Sequence, residues 1–488
     1  MSGRLARRIL AAALGVLSAC SAHSSAESQT TVAVTVATGK ASVAVLRWAD
    51  CGEPLLLEGQ CATLEVPVDA RRPDGPLVGI ALFRIRAKAA RIGVLVVNPG
   101  GPGVSGIDYV RDAYELFPPS FDVIGFDPRG VGRSQPVECI TERDLDRSYA
   151  ASTTPRDDAQ RNEWLEDAEA VASRCSSTDL ATTLGTANVA RDIDRIRAAL
   201  DEDRINYVGF SYGARLGWTY ATLFPERVRA MVLDGPEDPA ADFGQTTIQQ
   251  AAANEQVLGK FVDFCDELLG RCPPDPAAAI VEVIRRADIS PIPTSPGVEP
   301  LSGTYALNAV LTSFYDEHSW PDLGSALKAA LGGDGTQMLS LSFFWSDRHN
   351  PDPSVTVDAQ ELISCADRVE RVAPSDLDEI RRRVAAVSAT FATWLPGTVP
   401  PCFGYPEAVD PTPIPGSVGL PPILVVSSTG DIATPLAGAQ HLVDALGNAT
   451  LLVRDGAGHT SYGQNLCIDG YVSSYLTDLT MPRAGTIC

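Results

Sequence analysis

Six short, unbroken apolar runs punctuate this chain: GVLVV (93–97), FDVIGFD (121–127), INYVGF (205–210), RAMVLDG (229–235), PILVVSSTGD (422–431) and TLLVRDG (450–456). A strand with one wet face alternates apolar and polar residues; a strand with no alternation is covered on both faces, as in a parallel sheet flanked by helices. Between the runs, Val189, Ile193, Ile196 and Leu200 recur at helical spacing after Thr186, read as the cap, and Leu216, Tyr220 and Leu223 do so after Ser211. The alternation predicts an α/β fold with a mostly parallel sheet. VGIALFRI (78–85) does alternate and is expected as an antiparallel edge strand. From about 237 to 418 the rhythm breaks: helical patterns around 245–269, 275–287, 358–371 and 375–391 and many prolines replace the strands. This stretch is expected as a large, mainly helical cap inserted between core segments 46–236 and 419–488. The Pro-rich PEAVDPTPIPGSVGLPP (406–422) is its return linker.

The first residues, MSGRLARRILAAALGVLSAC, have a basic start, an apolar run from Ile9 to Leu17 and small residues before Cys20. They read as a signal peptide (1–19), too short to span a membrane. LSAC resembles a bacterial lipobox, which makes Cys20 the expected site of lipidation, and 20–45 a flexible tether to an exported, membrane-anchored body. The ten cysteines after Cys20 are an even set, expected as disulfides in an exported protein. Pairing in chain order is the simplest arrangement: 51–61, 139–175, 265–272, 365–402 and 467–488. No C-x-x-C or Cys/His cluster points to metal, and no cofactor is expected. Asp and Glu outnumber Lys and Arg by 61 to 39, for a formal charge of −22, which argues against nucleic acid as partner.

The chemistry centres on GFSYG (209–213), a G-x-S-x-G set between the run INYVGF and the helical pattern SYGARLGWTYATLF. A serine on a sharp strand-to-helix turn is a nucleophile elbow, and its flanking glycines relieve clashes. Ser211 needs a base. Of five histidines, His23 lies in the tether, His318 and His349 in the cap, and His441 in the helical AGAQHLVDAL; His459, in DGAGHTSYG after the last apolar run, remains. The imidazole needs an acid to fix its tautomer. Asp431 ends the first apolar run after the cap; Asp455 and Asp469 are rivals, the former too near His459 in sequence. The order Ser211, Asp431, His459 is that of α/β-hydrolases. Two backbone N–H groups must receive the oxyanion: Tyr212, and a glycine of NPGGPGVSG (98–106), either Gly100 or Gly101, with Gly101 preferred.

Together, NPGGPG (98–103), DPRGVGRS (127–134), GFSYG (209–213), STGDIATP (428–435) and DGAGH (455–459) resemble the S33-type serine peptidases of the α/β-hydrolase fold, in their exported actinobacterial tripeptidyl aminopeptidase-like branch. The resemblance covers about 46–488. It implies release of short peptides or residues from free N-termini, with peptide as partner and Thr434 lining the site beside Asp431. A substrate ammonium calls for a carboxylate. The cap offers Asp263, Asp266, Glu267, Asp316, Glu317 and Asp367, the last in ISCADR, a segment similar to one that recurs in this family. An envelope esterase or lipase is the alternative, since one triad serves esters and amides alike.

Overall fold

The computed structural model describes residues 46–51, 59–150, 152–267, 270–343, 357–397, 401–416 and 418–488. The expected signal peptide (1–19), Cys20 and the expected tether (20–45) lie outside the described residues. Nine strands form one sheet: β1 (Ala49–Asp50), β2 (Gly59–Pro67), β3 (Leu77–Ile85), β4 (Gly93–Asn98), β5 (Phe121–Phe126), β6 (Ile205–Phe210), β7 (Val228–Asp234), β8 (Ile423–Gly430) and β9 (Ala449–Ala457). Their order is β1-β2-β3-β5-β4-β6-β7-β8-β9. Pairs from β5 onward are parallel, while β1, β2 and β3 join antiparallel.

All six apolar runs are strands. β4 to β8 send alternate residues to two dry faces, which is why no alternation shows in the sequence, whereas β9, at the end of the sheet, is only half-buried along most of its length. Val94, Val96, Tyr207, Leu233 and Val425 pack on one face, against α4 (Thr186–Ala199), α5 (Tyr212–Leu223) and α13 (Leu436–Leu446). Leu95, Val97, Val208, Val232 and Leu424 pack on the other, against α1 (Gly106–Ala113) and α14 (Leu466–Asp478). α2 (Glu142–Ala150) and α3 (Asp158–Ser176) lie between β5 and α4 in the chain. One expectation needs correction: β3 is antiparallel but is not the edge, because β2 pairs along its full length and β1 lies outside that. Polar Gln60, Thr63 and Glu65 hide β2 in the sequence; only Leu64 and Val66 mark its buried side.

Between β7 and β8 the chain runs through α6 (Phe243–Glu267), α7 (Pro276–Ile289), α8 (Gly303–Phe314), α9 (Trp320–Leu331), α10 (Thr336–Ser342), α11 (Val357–Asp367) and α12 (Leu377–Ala385). Helices α6 to α10 of this inserted region share a core built on Phe261, Ile280, Phe314, Trp320 and Phe391, which Ile432 and Ala457 join, while Leu362 and Ile363 of α11 pack into the core beside α4. The ten cysteines join in chain order, 51–61, 139–175, 265–272, 365–402 and 467–488. No described helix is long and apolar enough to cross a membrane.

Candidate active site

Ser211 follows β6 with φ 56° and ψ −122°, a conformation that L-residues rarely adopt and that costs on the order of 1–3 kcal/mol. Its surroundings enforce it. The Ser211 N–H donates to the Asp234 carbonyl at 2.8 Å. A Cβ on Gly209 would overlap the Gly213 carbonyl oxygen, and one on Gly213 would overlap that of Asn98. The glycines of GFSYG are therefore required by contact.

Pairing of Asn98 with Gly209 in the β4–β6 register brings the NPGGPG loop beside the serine. Gly100 and Gly101 have φ of 101° and 104°, and a Cβ on Gly100 would lie 3.0 Å from Ser211 Cβ. The Gly100 N–H donates to Asn98 Oδ1 at 3.0 Å, so of the two glycines Gly101 is the one without that commitment. DPRGVGRS holds this loop from behind. Asp127 Oδ1 accepts from Ser105 Oγ at 2.5 Å and from the Ile107 amide at 3.2 Å, and its Oδ2 accepts from the Arg133 amide at 2.8 Å. Arg129, fully buried, donates twice to Asp192 at 2.8 Å and also to the carbonyls of Pro67, Val68 and Thr183. The motif is scaffolding for the glycine loop.

The Asp431 carboxylate, 1% exposed, meets His459 Nδ1 at 2.8 and 3.0 Å. It is fixed by the amides of Ala433 and Thr434 at 2.9 and 2.8 Å and by Thr434 Oγ1 at 2.9 Å. A proton on Nδ1 leaves Nε2 as the basic nitrogen. Burial opposes a charge on His459, but the Asp431 carboxylate outweighs it and raises the imidazole above its ordinary value. Asp455 instead accepts from Thr429 Oγ1, and Asp469 from the Gly463 amide.

The inserted region reaches this centre. The His459 N–H donates to the Tyr315 carbonyl at 3.0 Å, and the two rings meet edge-on, 5.1 Å between centroids. Asp316 bridges Gly458, and Glu317 Oε2 accepts from the Ala457 amide at 3.3 Å. The remaining acids divide clearly. Asp263, Asp266 and Glu267 are exposed on α6. Asp367 is 5% exposed, and its oxygens accept from Thr186 N at 2.7 Å and Thr186 Oγ1 at 2.5 Å, with Arg215 Nη1 at 3.6 Å. Thr186 is thus the first residue of α4 and not its cap; Asp367 supplies the capping carboxylate from 181 residues away. Arg215, one helical turn beyond Ser211, pairs also with Glu237, whose side chain is 29% exposed. Arg215 carries a signal in its i+4 spacing from the serine; Glu237, Tyr315 and Asp234 carry none beyond their place near strand or helix ends. Among the described residues Cys139, Cys175 and Asp358 approach metal-like spacing, but both sulfurs are in a disulfide.

The model of the family described as alpha/beta hydrolase fold matches residues 93–466. The chain belongs to the α/β-hydrolase family. It is similar to the serine protease Hip1 of Mycobacterium tuberculosis, with 34% identity over 88% of this chain and 87% of that one. The tripeptidyl aminopeptidase of Streptomyces lividans is 30% identical over 90% of this chain and 86% of its own. A carboxylesterase B of Mycobacterium tuberculosis is 32% identical over 90% and 89%. This α/β-hydrolase is a serine hydrolase, with relatives named for both peptide and ester chemistry, and its five disulfides mark it as extracytoplasmic.

Proposed function

We propose that this hydrolase is a serine aminopeptidase that releases short peptides, tripeptides foremost, or residues from free N-termini. Ser211 Oγ attacks the scissile carbonyl carbon while His459 Nε2 takes its proton. The Tyr212 and Gly101 amides receive the oxyanion. The tetrahedral intermediate then collapses: the C–N bond breaks, the amine leaves with the proton from His459, and an acyl-serine remains. Water repeats the sequence and frees the enzyme. Asp431, held by Thr434, keeps the imidazole oriented and stabilises its cation. The observation that carries the serine-hydrolase part of this reading is the Asp431–His459 contact, on a loop tied through Asp234 to a serine held at positive φ.

For the substrate ammonium we assign the charged cluster on Arg215. Asp367 is its buried anchor and Glu237 its open member. The peptidase names of two relatives support this choice; the carboxylesterase supports an envelope esterase as the second reading. We place the enzyme at the outer face of the cell membrane, held by lipid on Cys20, on the strength of the LSAC sequence.

A panel of tripeptide p-nitroanilides with free and acetylated N-termini, beside short and long acyl esters, separates the two readings. The expected result is turnover of free peptides at least tenfold above their acetylated forms. Equal cleavage of both, or preference for esters, overturns the aminopeptidase. Activity surviving in Ser211→Ala or His459→Ala overturns the residue assignment.

A further inference from the structure

Asp234 closes β7, and its backbone and side chain face different parts of the site. Its carbonyl accepts the Ser211 N–H at 2.8 Å. Its carboxylate Oδ2 accepts the amides of Ser461 and Tyr462 at 2.9 and 2.8 Å, two and three residues beyond His459. The residue is fully buried. Its other oxygen, Oδ1, has no hydrogen-bond partner among the described residues.

That last fact is hard to explain by folding alone. A buried carboxylate oxygen without a donor is destabilising. An asparagine would keep an acceptor for the same two N–H groups and bury no negative charge, but would set an amide NH2 without an acceptor where Oδ1 lies. Only the charge has a counterpart within reach, the cation that His459 can carry. The titratable groups that act on it are His459 and Asp431, from the loops after β9 and β8, and Tyr109 on α1. The Arg454 guanidinium holds the same loop from its other side, on Ser461 Oγ and Thr460 O.

We propose that Asp234 is a positioning residue for the hydrolytic reaction: it ties the serine turn to the histidine loop, and its unpartnered carboxylate charge supports the imidazolium that His459 becomes on taking the serine proton. Asp431 acts on the ring by direct contact, Asp234 through the loop that carries the ring and through space. The inference rests on Ser211 and His459 being nucleophile and base. Burial pushes the Asp234 carboxyl up to about 6, against the pull of the Tyr462 and Ser461 amides, so the group is ionised at neutral pH and loses its charge in mild acid.

The test is Asp234→Asn, with Asp234→Ser as a second variant that keeps an oxygen acceptor and drops the charge. Full pH profiles of kcat and KM are measured on a small ester and on a tripeptide anilide, alongside thermal melts. The expected result is a melting temperature at neutral pH close to wild type, kcat lower by about tenfold and KM unchanged. The rising limb of the profile moves to lower pH by roughly half to one unit, because removing a nearby negative charge makes His459 less basic. A merely structural role would lower stability without moving that limb. Unchanged kcat with an unmoved limb in a folded variant overturns the proposal, as does failure of both variants to fold. Ser211→Ala and His459→Ala are run beside them: if either stays active, it is the underlying assignment that fails, whatever the Asp234 variants do.

Discussion

At the scale of single residues, the proposal that His459 is the base makes its contact with Asp431 set how activity should depend on pH. His459 is raised above the ordinary histidine value, burial notwithstanding, because Asp431 lies against Nδ1. A base must be neutral to work, so kcat/KM should rise with pH through a value above that of a free imidazole. The sign for stability is opposite. A group whose folded value is raised stabilises the fold fully below its unfolded value, and that contribution is lost as pH climbs through the folded one. The enzyme therefore works on the side where this ion pair no longer contributes. Thr434 bears on the same contact: its hydroxyl and amide both hold Asp431. Thr434→Val keeps shape and amide but removes the hydroxyl. Hydrogen bonds to charged groups contribute about 1.5–3 kcal/mol, so kcat should fall roughly ten- to a hundredfold with KM little changed, measurable in steady-state kinetics on one anilide substrate.

At the scale of elements, Asp367 joins three of them. From the end of α11 it caps α4 through Thr186 and faces Arg215 on α5, while the Tyr212 hydroxyl donates to the Thr186 hydroxyl at 2.6 Å, whose own proton goes to Asp367. Removing one partner of a buried ion pair costs about 3–5 kcal/mol, so Asp367→Asn should lower the melting temperature. Glu237→Gln, partly open to solvent, should chiefly raise KM for free N-terminal peptides relative to acetylated ones; equal effects of the two variants on both readouts would refute the division. This is also where sequence and structure part company. The strands were legible because two dry faces demand unbroken apolar runs, and the serine turn because its glycines are required by contact at Gly213 and Asn98. Asp367 could be noticed as a carboxylate, but its partner at Thr186 lies 181 residues away, a distance that no local pattern spans. β2 went unread because only Leu64 and Val66 mark its dry side. Asp234 looked like the end of a strand, and nothing local distinguishes a terminal aspartate with an unpaired oxygen from one in water.

At the scale of the whole molecule, covalent links and the site separate. Cys467–Cys488 ties α14 to the C-terminal tail, which is also fastened by the Cys488 amide on the Val453 carbonyl at 2.8 Å. Replacing both cysteines by serine should remove roughly 2–4 kcal/mol of stability and leave kcat intact, since neither residue contacts Ser211, Asp431 or His459 in the bonds described above. A fall in kcat without a fall in melting temperature would contradict that separation. The inserted helices are a different matter. Tyr315, Asp316 and Glu317 hold Ala457, Gly458 and His459 by backbone and side chain, so the inserted segment also carries part of the wall of the candidate site. A graft that gave this core another relative's helices would have to bring residues 315–317 and 457–459 as a matched pair, and an exchange cut between them would trade a change of substrate for a loose base.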